Sequence, residues 1–179
     1  SMIPYRQTEL QGGNSQFENL NHELTNSFEV KQANKDIISL TIPTVMFEGG
    51  AHEQIWTTGL NYSINPYMRI SISDLFPNSF ITNKHNEILR KFFNVLHEKI
   101  SKYALEKFKL NPQDFYLRML DINWQEVDNF YIDSEGITFI FIPYQITAWA
   151  LGEHYIKFKY NELISMFPNI QSFNYLDSQ

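Results

Sequence analysis

The residues with most chemical promise lie around one corner, Glu48-Gly49-Gly50-Ala51-His52-Glu53, where a histidine stands among carboxylates. An imidazole beside a carboxylate is the minimum equipment for general acid–base work, and a carboxylate pair is what glycoside hydrolysis uses, its separation in space deciding the outcome. Adjacency on a turn does not supply that separation, and the commoner role for such a histidine is to bond a neighbouring carbonyl and hold the corner. Glycine takes positive φ without penalty, so Gly49 and Gly50 leave backbone amides exposed. The corner Gly49, Gly50, Ala51 and His52 therefore reads first as a place that holds a ligand, and a hydrolase built on His52 and a nearby carboxylate is the alternative.

About ninety residues later, the stretch Phe141-Ile142-Pro143-Tyr144-Gln145-Ile146-Thr147-Ala148-Trp149-Ala150-Leu151-Gly152 begins as a strand, is bent by Pro143 and ends at a glycine. Tyr144, Gln145 and Trp149 carry rigid rings or an amide, groups suited to protein interfaces and to stacking on sugars; packing of the same rings against a helix is the competing role. Gly152 closes this second candidate surface. Asp74, after a strand and before Leu75-Phe76-Pro77, is expected to accept a turn or cap hydrogen bond.

Other chemistries are excluded by what the chain lacks. His22, His85, His97 and His154 show no ligand spacing and there is no cysteine, so neither a metal nor a cofactor is expected. There is no Gly-x-Ser-x-Gly elbow, no nucleotide-binding glycine loop and no deacetylase-type Asp/His metal motif. A formal net charge of −6 without a basic cluster argues against nucleic acid. No apolar run is long enough to cross a bilayer. Ser1-Met2 reads as a vector remnant, with an export signal or anchor expected ahead of it in the natural protein, so membrane attachment is expected only through a segment outside this chain.

The elements that must position these residues follow from periodicity. Residues 3–13 read as a loose arm or edge strand, and Asn14-Ser15 as the cap of a short helix with Phe17, Leu20 and Leu24 on one side. Phe28 to Lys31 and Ile37 to Phe47 read as strands joined by Ala33-Asn34-Lys35-Asp36. In the second, Ile38, Leu40 and Ile42 alternate with polar residues, and Pro43 suggests an edge or bulge. Trp56, Leu60, Tyr62 and Ile64 share one side of a strand from Gln54, and Met68, Ile70 and Ile72 alternate again, which predicts a meander with that apolar face buried. From Asn83 to about Phe108 the period becomes helical, with Leu89, Phe92, Phe93, Leu96, Ile100, Tyr103 and Ala104 on one stripe. Residues 113–128 suggest one or two short helices. Phe130 to Ile132 and Ile137 to Ile142 predict a hairpin across Asp133-Ser134-Glu135-Gly136, its second strand apolar on both faces and therefore central. Tyr155 to Tyr160 alternates, and Asn161 is placed to cap a last helix through Phe167. The expected fold is α+β, a mainly antiparallel sheet covered by one long amphipathic helix, with shorter helices near both ends and one compact core for the whole chain.

The order of these features, with Gly-Gly-Ala-His, Asp74-Leu75-Phe76 and the Tyr-x-Ile segment ending in glycine, resembles the RsiV-like C-terminal domain family of bacterial envelope proteins together with the adjoining PdaC/RsiV-like non-catalytic domain. The resemblance spans about Ser27 to Phe167, the first part (3–74) looking PdaC-like and the second (75–179) RsiV-like. It implies an extracytoplasmic location (periplasmic, cell surface or secreted) and a non-enzymatic role in binding a protein, lysozyme in RsiV, or a cell-wall glycan. The family's usual run is Tyr-Glu-Ile-Ala-Pro-Tyr-Ala-x-Gly; here Gln145 replaces the acid and Thr147-Ala148-Trp149 replaces Ala-Pro-Tyr. Glu53 stands where the family often has glycine.

Overall fold

The computed structural model describes residues 23–49, 51–75, 87–109, 127–146 and 149–167. The arm at 3–13, the capped helix from Asn14 and the short helices within 113–126 lie outside the described residues. In chain order the elements are β1 (Glu23–Asn26), β2 (Glu29–Ala33), β3 (Ile37–Phe47), β4 (Gln54–Ser63), β5 (Met68–Arg69), α1 (Ile72–Leu75), α2 (Glu87–Phe108), β6 (Phe130–Ile132), β7 (Gly136–Phe141), a 3-10 turn (Trp149–Leu151), β8 (His154–Lys159) and α3 (Tyr160–Met166). The class is α+β with antiparallel sheets and few helices.

Two sheets form where one was expected. The larger has the order β1-β3-β4-β5, with β2 also on β3, and the smaller is β6-β7-β8. Helix α2 lies on the smaller sheet, against β8 and α3, and does not cover the larger one. Its buried positions Phe92, Leu96, Ile100 and Ala104 recur every fourth residue, as a single buried stripe requires. Phe92 meets Phe158 at 5.2 Å and Phe139 at 5.7 Å between ring centres, and Lys99 pairs with Glu162 at 2.8 Å to tie α2 to α3. Strand β7 is buried at all six positions, as a central strand should be. The turn before it is an Asx turn: the Asp133 carboxylate accepts from the amides of Glu135 and Gly136 at 2.9 and 3.1 Å.

The buried face of the larger sheet is the opposite of the one predicted. Along β3 the buried residues are Ile37, Ser39, Thr41 and Thr44, and along β4 they include Thr57, Asn61 and Ser63; Ile38, Leu40 and Ile42, with Trp56, Leu60 and Tyr62, are only half-buried. The cause is β6. It is the edge of the smaller sheet and crosses the β3–β4 face, bringing unpaired backbone groups that need polar partners. Asn61 donates from Nδ2 to the Phe130 carbonyl at 2.8 Å, and the Ile132 amide donates to Ser39 Oγ at 2.8 Å. Ser39 Oγ in turn donates to Asn61 Oδ1 at 2.7 Å. Gly59 permits the approach, because a Cβ there would sit 1.9 Å from the Phe130 carbonyl oxygen.

Three smaller expectations also change. Leu24 lies on β1 and not on a helix, and Ile70 and Ile72 do not extend a strand, because β5 ends at Arg69 and α1 starts at Ile72. Asp74 has the expected cap role: its carboxylate accepts from the Ser71 amide at 2.8 Å and from Ser71 Oγ at 2.5 Å, the first of these being the N3 half of a capping box. Asn161 lies inside α3, where Glu162 takes over the capping by accepting from the Lys159 amide at 2.8 Å.

Candidate functional site

Strand β4 and the chain leaving β7 enclose a groove of about 600 Å³ lined by His52, Gln54, Ile55, Trp56, Ile142, Pro143 and Tyr144. Its size is that of small-ligand or side-chain pockets, and its walls are mostly apolar with a few polar tips.

One wall is a turn. Ile142, Pro143, Tyr144 and Gln145 form a β-turn in which the Gln145 amide donates to the Ile142 carbonyl at 3.1 Å, while Gln145 Oε1 accepts from the Ile142 amide at 3.1 Å. Proline at the second position and φ of +69° at Tyr144 give the type II form. That third position is normally glycine, and a side chain there costs roughly 1–2 kcal/mol. Tyr144 nevertheless occupies it with 68% of its surface exposed, so its ring recovers little of that cost by packing. Strain of this kind collects at functional positions.

The facing wall starts at the glycine corner. Gly49 has φ of +80°, and Gly49, Ala51 and His52 are exposed; Gly50 lies outside the described residues. His52 donates from Nδ1 to the Glu53 carbonyl at 3.0 Å, which fixes the ring. Gln54 Nε2 donates to Glu48 at 3.3 Å, turning that carboxylate toward Gln54. Among the described residues, none that lines the groove carries a carboxylate. Of the remaining candidates, Gln145 builds the turn, Gly152 takes φ of +72° after the 3-10 turn, and the Trp149 side chain lies outside the described residues, as do Thr147 and Ala148.

Below the groove a polar cluster joins the two sheets. Glu153 accepts from the Thr57 amide, from Thr57 Oγ1 at 2.8 Å and from the Tyr155 hydroxyl at 2.7 Å. Burial, reinforced by the Glu153 carboxylate, pushes the Tyr155 phenol up to about 12, so it stays a donor. Asn129 completes the join: its Oδ1 accepts from the Gly59 amide at 2.8 Å and its Nδ2 donates to the Thr57 carbonyl at 2.9 Å. His154 is in the core between Tyr103 and Phe108, with ring centres at 5.7 and 5.6 Å, and burial together with the Lys107 charge lowers its pKa to about 4. Among the described residues, no group of acidic, histidine or cysteine side chains is placed to hold a metal, and no helix is long and apolar enough to cross a membrane.

Sequence reasoning placed Ile142 and Pro143 in the second candidate surface but missed Gln54, Ile55, Trp56 and Glu153 as parts of this region. Pro143 was the available signal, since proline before a large exposed aromatic marks a turn that displays its third residue.

The architecture is thus that of an α+β protein whose two antiparallel sheets are locked edge onto face and share a groove. Residues 73–161 match the family described as a protein of unknown function (DUF3298). That stretch includes the Tyr144 wall of the groove, while the His52 wall precedes it. The chain is also similar to the crystal structure of a DUF3298 family member from Bacteroides fragilis, at 21% identity and a TM-score of 0.62, with 88% of this chain and 59% of that one covered. A DUF3298 family protein from Pseudomonas aeruginosa is similar at 16% identity and a TM-score of 0.56, with 79% of this chain and 60% of that one covered. These likenesses establish a shared fold, and the chain spans about three-fifths of the length of both structures. Among curated proteins none matches the chain.

Proposed function

We propose that this chain is a non-enzymatic recognition domain of a bacterial envelope or secreted protein, RsiV-like in its second part and PdaC/RsiV-like in its first. It binds a protein partner through the groove between His52 and Tyr144. The observation that carries the reading is Tyr144, a large side chain held in a left-handed turn position and left mostly exposed at the lip of an apolar groove. A structural tyrosine would not need that conformation, whereas an anchor presented to a partner gains from being fixed before binding. The net charge of −6 favours a basic partner by long-range attraction.

The test is pull-down with basic envelope and host proteins, lysozyme among them, beside peptidoglycan sedimentation, for the wild type and Tyr144→Ala. Protein capture that Tyr144→Ala abolishes supports the reading. Sedimentation with peptidoglycan instead assigns the groove, with its Trp56 and Tyr144 rings, to glycan. Failure of both defeats it. The hydrolase reading has less support, because among the described residues no carboxylate lines the groove beside His52; turnover of muropeptides lost in His52→Ala would establish it.

A further inference from the structure

The free edge of β4 suggests how a partner engages the groove. The β3–β4 ladder runs without a register break from Ile37↔Ser63 to Met46↔Gln54. In such a ladder alternate residues direct their N–H and C=O toward the partner strand and away from it. At Thr57 they point away, because its amide is bonded to Glu153 and its carbonyl to Asn129. Gly59 obeys the same direction through Asn129, as does Asn61, whose carbonyl accepts from the Ile70 amide at 2.7 Å. Proline at 43, opposite Thr57, fits the same alternation, since no ladder donor is needed there. Two residues before Thr57, Ile55 must also turn its amide and carbonyl outward. It lies on the groove, 41% exposed, and among the described residues no group is bonded to that edge at Ile55.

The edge is therefore satisfied in three successive places by the protein itself and left open at the fourth. At Thr57 and Gly59 the Asn129 carboxamide accepts from one residue and donates to the other, which is what the N–H and C=O of one residue of a neighbouring strand would do. The open place is the one beside an apolar groove walled by Ile142, Pro143 and Tyr144. We infer that the partner presents an extended peptide segment that adds as a strand to β4 at Ile55 and places an apolar side chain in the groove. Main-chain bonds to an exposed edge supply affinity in this mode, and the pocket for alternate side chains supplies specificity. The inference rests on the recognition reading and goes beyond it by naming the form of the ligand: an extended backbone, not a folded surface or a sugar.

The probe is a library of N-acetylated, C-amidated hexapeptides alternating apolar and basic residues, screened against the full chain, with chito-oligosaccharides as a parallel arm. Binding is followed on ¹⁵N-labelled protein. For the tightest peptide, the Ile55 amide should become protected from hydrogen exchange, and N-methylating the pairing residue of the peptide should weaken binding about tenfold, the worth of the lost bond in a groove. Ile55→Pro should weaken it similarly without breaking the ladder, because that N–H faces outward and proline is tolerated on an edge. The N-methyl peptide on the unaltered protein keeps the test valid should Ile55→Pro disturb the strand. Peptide binding that shifts Tyr144 and Trp56 but ignores both changes would overturn strand addition and leave the recognition reading standing. So would binding of the sugars alone. No binding by either class would overturn strand addition alone, since the recognition reading stands or falls on the pull-down and sedimentation.

Discussion

Replacing Gly59 by alanine should be among the most damaging single changes to the chain, although it adds one methyl group. The added Cβ would lie 1.9 Å from the Phe130 carbonyl oxygen, 2.5 Å from its carbon and 3.0 Å from its nitrogen. All three atoms are backbone, so no rotamer change relieves the clash, and β6 must retreat by roughly 1 Å or more before ordinary contact is restored. That retreat pulls on the bonds that lock the sheets: Asn61 to Phe130, Ile132 to Ser39 and Gly59 to Asn129, each 2.8 Å long. At about 1 kcal/mol for each bond weakened, with a further desolvation penalty for buried groups left unpaired, the loss is about 3–5 kcal/mol. For a chain of this size that corresponds to a fall in Tm of roughly 6–20 °C. Thermal and urea unfolding measure it directly. Gly152→Ala is the control: among the described residues no atom lies within 4 Å of an added Cβ, and the φ of +72° opposes the change, which costs about 1–2 kcal/mol. A Gly59→Ala protein melting within about 2 °C of the wild type would refute the edge-on-face account of how the sheets are joined.

Tyr144→Gly should leave stability within about 1 kcal/mol of the wild type, because relief of the left-handed strain offsets glycine's unfolded-state entropy, yet it should reduce partner binding by roughly 2 kcal/mol; calorimetry of both processes checks the pair. Glu153→Ala should cost about 1–3 kcal/mol by stranding the Thr57 amide and hydroxyl, while Glu153→Gln, which keeps an acceptor, should recover much of that in urea unfolding. His154 makes stability pH-dependent. Burial holds its native pKa at about 4, below the ordinary imidazole value of 6.5, so between those values the unfolded chain binds a proton that the native chain refuses; the contribution is complete above 6.5 and is lost as pH falls toward 4, up to about 3 kcal/mol. His154→Gln should flatten that part of the stability–pH curve, and an unchanged curve would contradict the assignment.

Several features were legible because a local pattern settles them. The helical period through Phe92, Leu96 and Ile100, the two-sided apolar run of β7, the Asx turn at Asp133 and the cap at Asp74 depend on residues within a few positions of one another. The face of the larger sheet was not legible in that way. Alternation along β3 and β4 separates Ile38, Leu40, Ile42, Leu60 and Tyr62 from Ser39, Thr41, Gly59 and Asn61, and an apolar layer seals against another apolar layer, so the first set reads as the core.

Tertiary structure reversed the choice, because what arrives at that face is the edge of a second sheet. An edge strand brings unpaired amides and carbonyls, which are satisfied by serine and asparagine and can come close only over glycine. The groove has the same origin. Its corner residue His52 and its turn residue Tyr144 are about ninety positions apart, and each segment's own conformation follows from glycine or proline nearby. That the two face one another across the open edge at Ile55 depends on where β6 docks β7 against β4, a contact between distant segments that no local period encodes.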